Sequence, residues 1–185
     1  SFPIAQSFID AWKQEAQDGG IISSGDYKPA KNSSDTIGPG VIQGDMVVTN
    51  NQSITLTGTV YVEGNIDINN GTTIQLSLAY GADSGVLLSD GWVHTQNNGE
   101  LTGSGQQDSH LMVLSTSACK GGGGGNCAHH GSAIDIHNNV AGAIFYAQDG
   151  MINLHNNVEA SQTTAWKLKL GNNTSLTYSE GLMSA

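Results

Sequence analysis

From Gly44 onward the chain is a succession of short runs in which apolar and polar residues alternate: DMVVT, SITLTG, TVYVEG, NIDIN, TTIQLSLAY, GVLLSDG, HLMVLSTS, AIDIH, GAIFYA, MINLH, WKLKLG and SLTYSEG. Alternation with a period of two, bounded by Gly, Asn or Asp, predicts short strands with one face buried. The N-terminus differs. Ile4, Phe8, Trp12 and Ala16 recur at every fourth position, Ala5 and Ile9 widen that stripe, Pro3 suits a first helical turn, and Gly19 and Gly20 supply a stop. This pattern predicts one α-helix over 3–18 whose stripe covers an open end of the β-structure. Residues 21–43 hold two of the three prolines and several turn residues, and predict a connecting loop with one short extended piece.

The runs also repeat. IDIHNNV (134–140) returns as INLHNNV (152–158) and, more faintly, as LKLGNNT (168–174). Asn-Asn pairs begin at Asn50, Asn69, Asn97, Asn138, Asn156 and Asn172, at intervals of 19, 28, 41, 18 and 16 residues. The shorter intervals match one turn of a β-solenoid, and the longer ones leave room for inserted loops. The predicted fold is therefore all-β: a single-stranded right-handed parallel β-helix (β-solenoid) with an N-terminal capping α-helix. One domain spans 1–185, with the helix at 3–18, the loop at 21–43, and rungs over 44–182 interrupted by a loop insertion at 119–131. Stacking at about 4.8 Å puts Ile134 and Ile136 over Ile152 and Leu154, then over Leu168 and Leu170, all facing inward. Asparagine tolerates the left-handed backbone region and its amide can bond to the next rung. Asn50, Asn69, Asn138, Asn156 and Asn172 accordingly read as a corner ladder.

Charge narrows the function. Six lysines and no arginine face sixteen acidic residues, for a net charge of −10. Phosphate neutralisation needs clustered cations, so a nucleic-acid partner is excluded. Twenty-five glycines among 185 residues, with only 12% charged side chains, suit a turn-rich exported protein. Cys119 and Cys127 bracket KGGGGGN, a tract supple enough for the thiols to meet, and a disulfide implies an oxidising compartment. There is no transmembrane run; any membrane association is expected through a segment upstream of Ser1.

Three sets of residues carry candidate chemistry. His137 and His155 share a column beside His129, His130 and Asp135, which gives a rival reading as a divalent transition-metal module. Asp135, Asn153 and Lys169 form the neighbouring outward column and read as surface polar stacking. Asp67, Asp83, Asp90 and Asp149 would serve a polysaccharide-active enzyme, which needs two carboxylates on one face; none of the four forms an evident same-column pair. Trp92, Tyr61, Tyr80 and Trp166 would stack on sugar rings if they face outward, whereas Tyr61 and Tyr146 flank inward positions.

The stretches GPGVIQGDMVVTNNQSITLTGTVYVEGNIDINNGTTIQL and AGAIFYAQDGMINLHNNVEASQTTAWKLKLGNNTSLTYSEGL resemble the repetitive C-terminal domain of bacterial PilX-related, type IV pilin-like envelope proteins. The elements that carry the likeness are Gly58 to Asn65, Tyr146 to Asn157 and Leu176 to Leu182. His137, His155 and the CKGGGGGNCAHH insertion depart from that pattern. The resemblance implies a structural or adhesive domain at the bacterial surface, extracellular, with surface or pilus components and glycans as the partner classes. No catalytic residue and no required cofactor are expected.

Overall fold

The computed structural model describes residues 4–122, 126–128 and 131–176. The protein is mostly β, with a large parallel sheet curled into a half-barrel and one N-terminal helix. All strand-to-strand ladders among the described residues are parallel. Three series of strands recur in the same order along the chain.

The first series is β1 (Ile21–Ser23), β3 (Gly40–Ile42), β6 (Val60–Val62), β9 (Gly85–Ser89), β12 (Leu111–Ser115) and the start of β14 (Ile144–Leu154). The second is β4 (Met46–Val48), β7 (Ile66–Asn69), β10 (Val93–Gln96), β13 (Ile134–Ile136) and the end of β14. β16 (Gln162–Leu170) runs beside both halves of β14. The third series is β2 (Ser34–Ile37), β5 (Ser53–Leu56), β8 (Thr73–Leu76) and β11 (Glu100–Thr102). Single parallel bridges carry it on through Ala141 to β15 (Glu159–Ala160), which pairs with β17 (Ser175–Leu176).

Register in the second series is continuous: Met46, Ile66, Val93, Ile134, Ile152 and Leu168 stand in one column, offset by 20, 27, 41, 18 and 16 residues. The column is the core. Met46, Ile66, Val93, Ile134 and Ile152 are inaccessible, as are Ile54, Ile74 and Leu101 of the third series. Leu168 and Leu170 keep the register but are 40% and 50% exposed, because β16 is the last strand of its face among the described residues.

Strand structure begins earlier than the prolines suggested. Residues 21–43 form β1, β2 and β3, so the expected connecting loop is itself part of the parallel array. Pro29 and Pro39 lie between those strands and break no ladder bond.

Helix α1 spans Gln6–Gly19, three residues inside the predicted start; Pro3 lies outside the described residues. It does not cap an end of the β-structure. Ile9 and Ala16, with Ile4 and Trp12 beside them, pack on Val41, Tyr61, Val86, Leu88, Leu114 and Tyr146, the outward residues of β3, β6, β9, β12 and β14. Those strands are apolar on both faces, and a two-faced apolar strand needs cover on each side. Phe8, expected in the buried stripe, is 59% exposed. Polar contacts lock the dock: Asp90 accepts from Lys13 Nζ at 2.5 Å, Tyr61 Oη at 2.5 Å and Thr116 Oγ1 at 2.7 Å, and Thr59 Oγ1 donates to Glu15 at 2.8 Å.

Two columns of polar residues turn the corners. At one, Asn50, Asn51, Asn70, Asn97, Asn98, Asn138, Asn139, Asn157 and Asn173 all have positive φ. Side-chain amides run between neighbours, from Asn97 to Asn70, Asn138 to Asn97, Asn139 to Asn98, Asn157 to Asn139 and Asn173 to Asn157, at 3.0 to 3.2 Å. Asn69 is not in this column. It stands opposite Gln96, and Asn70 takes the corner position with Gly71 after it. Asn156 and Asn172 precede the left-handed residues Asn157 and Asn173 and accept the backbone bonds of Asn139 and Asn157. At the second corner, the amides of Asp45, Asn65 and Trp92 each donate to the side chain one turn earlier, on Asp26, Asp45 and Asn65.

Candidate functional site

The outward positions of the second strand series gather three of the protein's six histidines. Asp67 on β7 pairs with His94 on β10, His94 with Asp135 on β13, and Asp135 with Asn153 on β14. Two residues further along each strand stand Asn69, Gln96, His137 and His155. In-register stacking thus brings together residues that lie up to 88 positions apart in the chain, from Asp67 to His155.

The side chains bond within and across strands. His94 Nδ1 lies 3.0 Å from Asp67 Oδ1, which also accepts from Asn69 Nδ2 at 2.7 Å. His137 Nε2 is 2.7 Å from Asp135 Oδ2, and His155 Nε2 is 3.1 Å from Asp135 Oδ1. Asn153 Nδ2 meets Asp135 Oδ1 at 3.0 Å and His155 Nε2 at 2.6 Å. The His137 and His155 rings stack with centroids 3.7 Å apart and planes within 12°, while His94 meets His137 edge-on at 5.7 Å.

Burial sets this cluster apart from surface polar stacking. Asp135 is inaccessible, Asn153 1% exposed and His94 3% exposed. His137 and His155 form a partly open rim, with side chains 18% and 20% exposed. A buried carboxylate is costly unless hydrogen bonds or a cation compensate it. His137 and His155 both lie within ion-pair distance of Asp135.

No family model, curated protein or solved structure matches this chain. Its chemistry is therefore read from its own geometry.

The other candidate residues are scattered. His129 and His130 lie outside the described residues. Cys119 and Cys127 form a disulfide with Cα atoms 5.8 Å apart; Cys119 is buried at the edge of the core, and both sulfurs are committed to each other. Asp83 and Asp149 join no cluster here, and Asp90 is committed to holding α1, where burial raises its pKa but the bonds from Lys13, Tyr61 and Thr116 outweigh that and hold it below the usual carboxylate range. Asp67 and Asp135 do share a column, two strands apart with His94 between them. Among the described residues, the candidate aromatics are dispersed: Tyr61 is buried under α1, Tyr80 packs on the core, Trp92 is half-buried at the second corner, and exposed Trp166 carries Lys120 Nζ 4.9 Å above its ring.

His94 was the residue that sequence reasoning passed over. Its signal was present: His94 lies three residues before Asn97, as Asp135 does before Asn138 and Asp67 before Asn70.

Proposed function

We propose that this chain is the rigid, displayed domain of a pilin-like or other bacterial surface protein, wound as a right-handed parallel β-helix outside the cytoplasm. The supporting observation is the unbroken register of the second strand series, which repeats through every offset from 16 to 41 residues. A chain that returns to the same column while tolerating inserted loops is suited to projecting them. The connection between β12 and β13, tied by Cys119–Cys127, is the longest of these insertions along the chain. The disulfide fits an oxidising location, and no helix among the described residues is long and apolar enough to cross a membrane. Surface or pilus components and glycans are the partners this reading implies, and the resemblance to PilX-related envelope proteins supports it.

The test is accessibility. Antibody raised against the chain is expected to label intact cells of the source bacterium, with Cys119 and Cys127 recovered as an alkylation-resistant pair. Labelling that requires permeabilised cells, with both thiols free, would reject the surface reading.

A further inference from the structure

We propose that His94, Asp135 and His137 form a binding site for one divalent first-row transition ion of the zinc, nickel or copper class, with His155 and Asn153 at its rim. One ligand atom from each of the first three lies within 4.8 Å of the others. Metal bonds from imidazole nitrogen and carboxylate oxygen run about 2.0 to 2.2 Å, so closing the three onto one ion needs movements under about 1 Å each. Imidazole with carboxylate selects borderline transition ions over calcium or magnesium, which prefer all-oxygen shells.

Three observations favour a cation over a purely structural polar cluster. First, Asp67 Oδ1 accepts from His94 Nδ1, which leaves Nε2 as the coordinating nitrogen and fixes the ring from behind. A carboxylate holding the far nitrogen of a histidine is the outer support that metal-bound imidazoles usually have. Second, the contacts at His155 cannot all be hydrogen bonds. Its Nε2 lies 2.6 Å from Asn153 Nδ2 and 3.1 Å from Asp135 Oδ1, and one nitrogen cannot both accept from the amide and donate to the carboxylate. With the amide in this orientation, lone pairs of Asp135 and His155 converge, and either a cation between them or a turned-over Asn153 amide resolves the conflict. Third, Asn153 Oδ1 is buried without a partner on a residue 1% exposed. Turning the amide over would aim that carbonyl oxygen at the same point and make it a further ligand.

The stack of His137 on His155 contributes to the same end. Parallel rings 3.7 Å apart place their Nε2 atoms on the two oxygens of the single Asp135 carboxylate. Both rings are reachable from solvent, so an ion has an entry path past the rim to the buried pair. The site depends on strand register alone and is independent of the display role proposed above.

Isothermal titration of the chelator-treated chain with zinc chloride, repeated with nickel, is expected to give one equivalent of binding and a metal-dependent rise in melting temperature. Asp135→Asn and His137→Asn should abolish it. Asp67→Asn, which leaves the three ligands in place, should weaken it by about 10- to 100-fold. The paired variant His129→Ala, His130→Ala should retain it. If Asp135→Asn fails to fold, Asp67→Asn and His137→Asn carry the test, with circular dichroism confirming their folds. Absence of heat and of any melting shift overturns the site, as does binding unchanged in His137→Asn or lost only in the His129, His130 variant.

Discussion

Replacing Asp90 by Asn isolates what holds α1 to the strands. The carboxylate accepts three bonds, from Lys13, Tyr61 and Thr116, and an amide of the same shape has one oxygen left to accept with and no charge to offer Lys13. Hydrogen bonds to a charged group contribute about 1.5 to 3 kcal/mol each when buried. The Asp90 and Lys13 side chains remain 33% and 25% exposed, so solvent screening reduces the ion-pair share and the expected loss is about 2 kcal/mol. For a chain of this size that is a fall in melting temperature of about 4 to 8 °C. The sign of the pH effect follows from the lowered folded-state pKa of Asp90, where the bonds from Lys13, Tyr61 and Thr116 outweigh the effect of burial. A depressed carboxylate stabilises fully above its unfolded value, about 3.9, and that contribution is lost as pH falls through the folded value. Urea titrations followed by far-ultraviolet circular dichroism should therefore separate the two proteins at pH 7 and bring them together in acid, as pH falls through the lowered pKa of Asp90. Equal stability at neutral pH, or a gap that persists undiminished in acid, would refute the assignment of Asp90 as the clasp.

Two further substitutions or treatments probe the array itself. Gly64→Ala would place a Cβ 2.4 Å from Asp45 Oδ1 and 2.7 Å from the Gly44 carbonyl oxygen, in a corner where backbone cannot yield, and should destabilise by about 2 to 3 kcal/mol in urea titration; an unchanged midpoint would mean that the corner is looser than its ladder implies. Reducing Cys119–Cys127, whose sequence separation is 8, frees a short loop and should lower stability by about 2.5 kcal/mol, read as a shift in urea midpoint with and without reductant.

Much of the core was legible because strand alternation is a local signal. Ile134 and Ile136 stand over Ile152 and Leu154 as their spacing implied. What failed was what depends on distant surfaces. An amphipathic stripe says that Ile9 and Ala16 will be buried but not by what, so α1 was assigned to an end when it lies on a side. The clue was in the strands: VYV at Val60–Val62 and VLL at 86–88 are apolar on both faces and called for cover. Asn69 was misplaced because glycine and asparagine both accept the left-handed conformation. Gly71 stands where Asn51 and Asn98 stand in neighbouring turns, so counting Asn-Asn pairs slipped the register by one. The same slip hid Asp67, whose place in the column is found by counting back from Asn70 rather than from Asn69, and with it the row of His94 and Asp135, each three residues before an Asn-Asn pair.

Register also explains how a long insertion leaves the histidine cluster intact. Between β10 and β13 the chain travels 41 residues, yet Val93 N still bonds to Ala133 O, and His137 N to Thr95 O, at 2.8 and 2.7 Å. Closing a longer loop adds little entropy cost, since each doubling of length costs about 0.6 kcal/mol, and the Cys119–Cys127 bond shortens the free segment further. Ladder bonds on both sides of β13 outweigh that cost. The positions of His94, Asp135 and Asn153 are consequently set by the strands beneath them, and sequence change within 119–131 is expected to leave the side chains of the buried cluster in place.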